Sequence, residues 1–201
     1  MIVKVIIASN NENKIREIKD IFLGYPVNVI SMKEAGINIE IVEDGSTFME
    51  NAYKKAKQVH DITGDIVLAD DSGLMVKGLN GAPGIYSARF CGEHGNDKKN
   101  NEKLLKMLEG KSEEDRKAKF VCAMVLIFND SKVIKVKGEV DGVIAHEELG
   151  KNNFGYDPLF YVPKYNMTFA QMPAKLKNSI SHRAQALEAL KEKFDTFMKK
   201  V

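Results

Sequence analysis

The sequence lacks the features that mark secreted, membrane-spanning and nucleic-acid-binding proteins. Its 201 residues contain only two cysteines, Cys91 and Cys122, which form neither a disulfide framework nor a metal-binding spacing. No apolar run is long enough to cross a bilayer, and the first residues lack a signal-peptide cleavage site. The formal net charge of +2 provides no bulk attraction for nucleic acid. We therefore expect a cytoplasmic protein that binds neither membranes nor nucleic acid.

The sequence also lacks internal repeats, low-complexity linkers and a P-loop. Gly110-Lys111-Ser112 resembles the end of a P-loop, but Leu105 occupies the position of the required glycine and a predicted helix precedes it. Hydrophobic residues make up 44% of the chain and charged residues 29%, as in ordinary globular proteins. We predict a single domain over residues 1–201 with two lobes.

The stretch from Ile66 to Leu74 joins an apolar run to charged groups. Its sequence, I-V-L-A-D-D-S-G-L, predicts a buried strand that ends near Gly73. Ligands of α/β proteins collect beyond the carboxyl ends of strands, where Asp70 and Asp71 would then lie. Adjacent carboxylates repel each other and need cations or hydrogen-bond donors. The same residue types are common in simple turns, so a site and a turn both remain open at this point.

Two predicted helix starts carry positive charge. Asn11 is a good N-cap for the helix after the first strand, and Lys14 lies in its first turn. The last predicted helix, Ser179–Lys199, has His182 and Arg183 in its first turn. A helix dipole disfavours cations at these positions, and a bound phosphate would reverse that preference.

A third cation is predicted to point inward. In the long helix that is capped by Ser46 or Thr47 and runs to about Thr63, Lys55 lies on the apolar face with Ala52 and Ala56. An unpaired buried ammonium is costly, so Lys55 needs a partner, with snorkelling along the apolar face as the alternative. The chain also offers the carboxylates of Glu43, Asp70 and Asp71. Together these cations and carboxylates indicate a triphosphate bound through a divalent metal.

The rest of the chain predicts further strands, helices and loops. They are strands at Ile2–Ala8, Val27–Ser31, Ile37–Val42 and Leu74–Leu79, a helix at Asn96–Glu109, and a β-hairpin of Lys119–Phe128 and Lys132–Ile144. Arg89 is placed either to clamp a phosphate or to form a structural ion pair. Phe154 and Tyr156, in the loop Gly150–Pro158, either stack on a base or only pack.

Six motifs in chain order resemble those of one family. They are S-N-N-E-N-K from Ser9, E-D-G-S-T-F-M-E-N-A-Y-K-K-A from Glu43, A-D-D-S-G-L from Ala69, G-A-P-G-I-Y-S-A-R from Gly81, F-G-Y-D-P from Phe154 and S-H-R-A-Q-A-L from Ser181. The chain resembles the inosine triphosphate pyrophosphatase family, also known as the HAM1 family, over nearly its whole length. It departs from the family pattern at Asn153, where glycine is usual, and at Gln171, where an acid is usual.

The resemblance implies a fold and an activity. The fold is α/β, with an elongated central mixed β-sheet, flanking helices, and two lobes with an active-site cleft between them. The activity is Mg²⁺-dependent hydrolysis of ITP, dITP and XTP to the nucleoside monophosphate and pyrophosphate, which removes deaminated purines from the nucleotide pool. Members are usually homodimers.

The resemblance also implies roles for individual residues. The phosphates would contact Ser9, Asn10, Asn11, Glu12, Asn13 and Lys14. Glu43 and Asp71 would hold the metal, Asp71 would accept a proton, and Lys55 would bind phosphate. Ser72 would touch the substrate beside Asp71. The remaining nucleotide contacts would be Phe154, Gly155, Tyr156 and Asp157 around the base, with Lys177, His182 and Arg183.

Two other kinds of function would use a similar nucleotide site. One is a phosphatase or a pyrophosphatase of modified pyrimidine nucleotides, and the other is a nucleotide sensor without catalysis. The products separate a pyrophosphatase, which releases pyrophosphate, from a phosphatase, which releases orthophosphate. Binding without metal-dependent turnover would indicate the sensor.

Overall fold

The computed structural model describes residues 3–151 and 154–198. Seven strands form one mixed sheet in the order β2-β1-β3-β4-β5-β6-β7. The strands are β1 (Val3–Ile7), β2 (Val27–Ser31), β3 (Ile66–Val76), β4 (Lys117–Asn129), β5 (Lys132–Ile144), β6 (Phe160–Val162) and β7 (Met167–Thr168). The helices are α1 (Glu12–Ile21), α2 (Phe48–Thr63), α3 (Asp97–Met107), α4 (Ala174–Ile180) and α5 (His182–Met198). This mixed sheet with its flanking helices confirms the predicted fold class.

The sheet combines parallel and antiparallel strand pairs. β1 lies between β2 and β3 and is parallel to both, with Ile7 opposite Ser31 on one side and Leu68 on the other. β5 pairs with β6, and β6 with β7, in antiparallel register. The order β2-β1-β3 is that of a doubly wound sheet, in which ligands bind beyond the carboxyl ends of the central strands. β1 ends at Ile7, which is opposite Leu68 inside the longer strand β3.

The chain divides into two compact units. The first comprises the described residues up to Asp71, together with Cys122–Gly138 and the chain from Arg183 onward. The second comprises Ser72–Val121 and Glu139–His182. The cleft between lobes that the resemblance implies stays a prediction.

The first unit buries both faces of its strands. Ile7 and Leu68 pack with Ile18 of α1 and Leu187 of α5 in one cluster. On the opposite face, a second cluster joins Ile6, Ala8, Val67 and Ala69 to Ala52, Ala56 and Val59 of α2. Because side chains alternate along a strand, each strand supplies both clusters. The near-continuous apolar runs of β1 and β3 follow from this two-sided burial.

The second unit has a core of its own. Leu74 and Val76 from β3 pack with Leu104 from α3 and with an aromatic group around β6. In that group, the rings of Phe120 and Phe160 have centroids 4.5 Å apart. Offset and tilted ring pairs of this kind stabilise a core beyond the area that they bury.

Two predicted strand assignments are wrong. β3 does not end near Gly73 but continues to Val76, so the separate strand predicted at Leu74–Leu79 does not exist; Lys77–Leu79 is a 3₁₀ turn. The segment Ile37–Val42 is irregular. The side chain of Gln58 accepts the Val42 N–H at 3.0 Å and donates to its carbonyl at 3.1 Å. At Val42 a side-chain amide therefore bonds the backbone of a segment that we predicted to be a strand.

The last predicted helix is two helices. Ser181 has extended dihedrals (φ −64°, ψ 157°) and separates α4 from α5. Lys177 consequently lies in the last turn of α4, where the helix dipole favours a cation. The other predicted helices, the strand at Val27–Ser31 and the two hairpin strands are confirmed within a few residues. Predictions that involve Ile2, Asn153 and Lys199 lie outside the described residues.

None of the helices in the described part of the chain is both long enough and apolar enough to span a membrane.

Candidate functional site

The start of α1 follows directly after β1. Asn11 is its N-cap, as predicted, and its side chain accepts the backbone N–H groups of Asn13 and Lys14 at 3.1 Å each. The Ser9 hydroxyl accepts the Asn11 N–H at 3.1 Å. These bonds shape a polar turn at the positive end of a helix dipole, the kind of position that binds anions.

The two adjacent aspartates lie inside a strand rather than after it. Asp70 and Asp71 follow Leu68, the residue of β3 that is opposite the last residue of β1. Successive side chains of a strand point to opposite faces of the sheet. Asp70 therefore lies on the face of α1 and α5, and Asp71 on the face of α2. The repulsion expected between neighbouring carboxylates is reduced because each one meets its own cations.

Asp70 is fully buried among positive charges. Its carboxylate lies 3.1 Å from the Lys14 ammonium and 3.4 Å from the Arg183 guanidinium, which also pairs with Glu17. Burial alone would raise the pKa of Asp70, but the charges of Lys14, Arg183 and Lys55 together lower it below its usual value. Asp70 is therefore ionised, and it offsets the charge of Lys14 at the helix start.

The neighbouring thiol of Cys122 remains neutral. Cys122 is completely buried in the first unit, and its sulfur lies 4.0 Å from the Asp70 carboxylate. Burial and the charge of Asp70 raise the pKa of this thiol to about 12. Cys122 is thus a core residue.

Asp71 forms a second charged group with residues before and within α2. Lys55 is 6% exposed, and its ammonium lies 3.4 Å from Asp71 Oδ1 and 3.3 Å from Glu43 Oε2. Asn51 donates from Nδ2 to Asp71 Oδ2 at 3.1 Å. The inward orientation of Lys55 is confirmed, and because it has two carboxylate partners it does not snorkel to the surface.

The pKa values of this group reflect its burial. Burial raises the pKa of Asp71, and the charges of Lys55 and Lys14 only partly offset that effect. Burial would lower the pKa of Lys55, but the charges of Asp71, Asp70 and Glu43 raise it instead. A buried carboxylate beside a fixed ammonium is a pattern found at functional sites, although structural ion pairs also show it.

The position of Glu43 depends on Gly45. The Gly45 N–H donates to Asn51 Oδ1 at 2.8 Å. A Cβ atom at Gly45 would lie 2.7 Å from that same oxygen and 2.9 Å from the Cβ of Glu50. Only glycine permits this close approach, which holds the segment of Glu43 against α2.

Glu43 and Asp71 are suited to a hard divalent cation. Both carboxylates reach the same ammonium of Lys55, so their oxygens converge on one point. Among the described residues there is no group of three or more histidine, cysteine, aspartate or glutamate side chains placed to hold a metal. Mg²⁺ is commonly held by one or two carboxylates together with substrate phosphates and water, so a site of this kind does not require a larger group.

The second unit holds the predicted base-binding residues. Phe154–Asp157 is a turn closed by a hydrogen bond from the Asp157 N–H to the Phe154 carbonyl at 3.1 Å. The buried carboxylate of Asp157 accepts a hydrogen bond from the Lys177 ammonium at 2.6 Å. That ammonium also lies 5.4 Å from the centre of the Phe154 ring. The cation–π contact and the ion pair hold both ends of the turn against α4.

Tyr156 and His182 are packed into the same unit. The Tyr156 hydroxyl donates to the carbonyl of Ser87 at 2.9 Å. The His182 ring stacks on Phe120 with centroids 4.7 Å apart. The Ser72 side chain is half-buried, and Arg89 lies 5.2 Å from the centre of the Tyr86 ring. The structure thus gives Arg89 a ring contact, which neither prediction for it included.

Sequence reasoning missed several residues that support these groups. Ser87 is buried, accepts the Leu74 N–H at 2.9 Å and donates to the Gly84 carbonyl at 2.6 Å. Glu17 pairs with Arg183 from the turn of α1 after Lys14. Glu17 had a detectable signal, because it is an acid three residues from Lys14 and so lies on the same helix face. Gln171 accepts the Thr168 N–H at 2.8 Å, a local turn contact.

The fold and the paired charges define a class of protein. It is a mixed-sheet α/β protein whose buried carboxylates and lysines lie where a central parallel strand ends, the position at which such folds bind ligands.

Comparison with known proteins places the chain in a family. The model of the Ham1 family matches residues 5–193. The chain is 55% identical over 197 residues to the dITP/XTP pyrophosphatase of Clostridium tetani, which covers 96% of this chain and 97% of that protein. It is 49% identical over 202 residues to the dITP/XTP pyrophosphatase of Clostridium perfringens, and the match covers 98% of this chain and 99% of that protein. The solved structure of the Staphylococcus aureus Ham1 protein is 44% identical, has a TM-score of 0.87, and covers 96% of this chain and 98% of its own. The chain belongs to the Ham1 family.

Proposed function

We propose that this protein hydrolyses the non-canonical purine nucleoside triphosphates ITP, dITP and XTP to the monophosphate and pyrophosphate. The observation that carries the proposal is the buried group of Glu43, Lys55 and Asp71 in a chain of the Ham1 family. Relatives 49% to 55% identical to it are named dITP/XTP pyrophosphatases. The group combines fixed carboxylates with a fixed cation, as phosphoryl-transfer sites require.

The phosphates would bind to residues of the first unit. The turn Ser9–Lys14 presents the start of α1, whose dipole favours an anion. Lys14 and Lys55 have fixed ammonium groups that would stabilise negative charge developing on the phosphates. Arg183 would add a third positive charge to this region. Asp71 would accept a proton from the attacking water.

The cofactor in this proposal is Mg²⁺. Glu43 and Asp71 would hold it, since they are the carboxylates that converge beside Lys55. When bound, a divalent cation neutralises phosphate charge and lowers the pKa of a bound water. Lys55 lies between the same carboxylates, and its ammonium keeps them from repelling each other in the absence of the cation.

The base would bind to residues of the second unit. The turn Phe154–Asp157, with Lys177 and His182, combines aromatic faces with fixed polar groups. Groups that donate hydrogen bonds to O6 of a 6-keto purine would face the amino group of ATP, and these donors would then remain unsatisfied. Such mismatches allow strong discrimination. Ser72 would contact the substrate from the strand that carries Asp71.

The remaining expectations about the protein are also part of the proposal. A homodimer and a cytoplasmic location are expected from the family resemblance. The activity would remove deaminated purines from the nucleotide pool.

A substrate panel tests this proposal. ITP, dITP, XTP, GTP, ATP and CTP are each incubated with Mg²⁺ and with a chelator, and both pyrophosphate and orthophosphate are assayed. We expect pyrophosphate from ITP, dITP and XTP only, and none with the chelator. Orthophosphate from many substrates would instead indicate a phosphatase. Nucleotide binding without turnover would indicate a sensor.

A further inference from the structure

The turn Phe154–Asp157 is held from outside by α3. The Gly155 N–H donates to the carboxylate of Asp97 at 2.7 Å. The Gly155 carbonyl accepts a hydrogen bond from Asn101 Nδ2 at 3.1 Å. Both peptide groups that flank the Cα of Gly155 are therefore bonded to one helix.

α3 is a rigid support for these contacts. Asp97 and Asn101 are four residues apart and so lie on the same helix face. Asn96 caps the helix by accepting the Lys99 N–H at 3.1 Å, and Leu104 is fully buried in the core of the second unit. The two polar side chains thus start from a backbone that is fixed at its beginning and along its buried face.

The side chain of Asn101 is buried and bonds directly to the turn. It is 3% exposed, and its amide hydrogens go to the Gly155 carbonyl and to Glu148 Oε1, the latter at 2.8 Å. In the part of the chain that the structure describes, no group donates to Asn101 Oδ1. An apolar residue in its place would leave the Gly155 carbonyl without this donor. What the amide provides is the orientation of Gly155.

Gly155 needs this support because of its conformation. Its φ is +57°, and a Cβ there would meet nothing within 4 Å. Glycine adopts positive and negative φ about equally, so without external bonds its two peptide groups can rotate. Such a rotation would exchange the positions of donors and acceptors along the turn.

We propose that Asp97 and Asn101 are positioning residues that set the discrimination of the purine base. They fix the donors and acceptors of the turn Phe154–Asp157, which binds the base in the proposed function. The inference rests on that function. Neither residue needs to touch the substrate. Small displacements of positioned groups are enough to change selectivity and rate.

Replacing Asn101 tests the proposal against a matched control. Asn100 is the adjacent residue of the same helix, is 1% exposed, and accepts the Cys91 N–H at 2.7 Å instead. We expect Asn101→Ala to raise the KM for ITP and to lower the ratio of kcat/KM for ITP over ATP about tenfold, with kcat within about threefold of the wild type. Asn100→Ala should keep that ratio. An unchanged ratio in Asn101→Ala, or an equal fall in both variants, would overturn the proposal.

Replacing Asp97 provides a rescue test. Asp97→Ala removes the acceptor for the Gly155 N–H, whereas Asp97→Asn keeps an oxygen there. We expect the alanine variant to lose selectivity and the asparagine variant to retain most of it. If the two variants behave alike, Asp97 does not act through that hydrogen bond and the proposal is overturned.

Amide exchange of Gly155, measured by NMR, provides a readout that needs no turnover. We expect Asp97→Ala to speed this exchange about tenfold, because the N–H loses its acceptor. If Asp97→Ala leaves the exchange unchanged, the positioning role is overturned. A wild-type protein that leaves ITP intact contradicts the proposed function itself. A wild-type protein that hydrolyses ITP, with selectivity unaltered in Asn101→Ala, contradicts only the positioning role.

Discussion

Asp70 and Asp71 are neighbours in sequence, but their replacement should have different effects. Asp71→Asn keeps an acceptor for Asn51, and Lys55 keeps Glu43 at 3.3 Å. Folding raises the pKa of Asp71, so its negative charge does not stabilise the fold, and the free energy of unfolding should change by no more than about 1 kcal/mol. Turnover of ITP should fall about a thousandfold, because an amide accepts no proton and is a weaker metal ligand. Single-substrate kinetics and urea unfolding of the same preparation measure both quantities.

Asp70→Asn is the matched control, and for this variant we expect a large loss of stability. Its carboxylate faces the buried charges of Lys14 and Arg183, and removing one member of a buried ion network costs about 3 kcal/mol of stability. Because the pKa of Asp70 is lowered by folding, its contribution is complete above about pH 4 and is lost as the pH falls further. Equal stability of the two variants would contradict this division of roles.

At the scale of elements, the two glycines that flank α2 should differ in their effect on the metal. In Gly45→Ala the new Cβ would collide with Asn51 and displace the segment of Glu43, whereas the surroundings of Gly64 are open. We expect Gly45→Ala to raise the Mg²⁺ concentration for half-maximal turnover at least about tenfold, as loss of support for a ligand commonly does. The measurement is a Mg²⁺ titration of ITP hydrolysis.

Gly64→Ala serves as the control at the other end of the helix. Gly64 has φ +67° and caps α2 in the left-handed conformation. Alanine should cost about 1 kcal/mol of stability there and leave the Mg²⁺ requirement unchanged. A similar rise in both variants would mean that α2 responds as a whole, and that Gly45 has no particular role in holding Glu43.

At the scale of the whole molecule, substrate and metal should stabilise the fold together. A ligand at a hundred times its Kd adds about 2.7 kcal/mol, which for a chain of this length corresponds to a rise in Tm of about 5 to 10 °C. We expect this rise with Mg²⁺ and a non-hydrolysable ITP analogue in thermal unfolding. The ATP analogue should give a much smaller rise. An ITP-analogue shift that persists in full with a chelator would contradict the role of Glu43 and Asp71 in metal binding.

Much of the first unit's charged group was predictable from local patterns. Helical periodicity was sufficient to place Lys55 on a buried face, and the short polar side chain of Asn11 before a helical pattern identified the N-cap. Both depend on contacts within one turn of helix, which the local sequence encodes. The same holds for the apolar runs of β1 and β3, since a strand buried on both faces leaves an unbroken signature.

The contacts that only the tertiary structure decided are non-local. An apolar run that stops at Asp70 looks like the end of a strand, yet β3 continues because β4 lies beside it. Ile37–Val42 alternates like a strand, but its backbone at Val42 bonds to Gln58 of α2. Asp97 and Asn101 share a helix face with Leu104 and Leu108, but nothing near them in the sequence indicates that they bond to Gly155. By itself the sequence determined the buried faces, the caps and the family, because these depend on neighbouring residues. Which polar group meets which depends on pairings over tens of residues, and only the folded chain decides them.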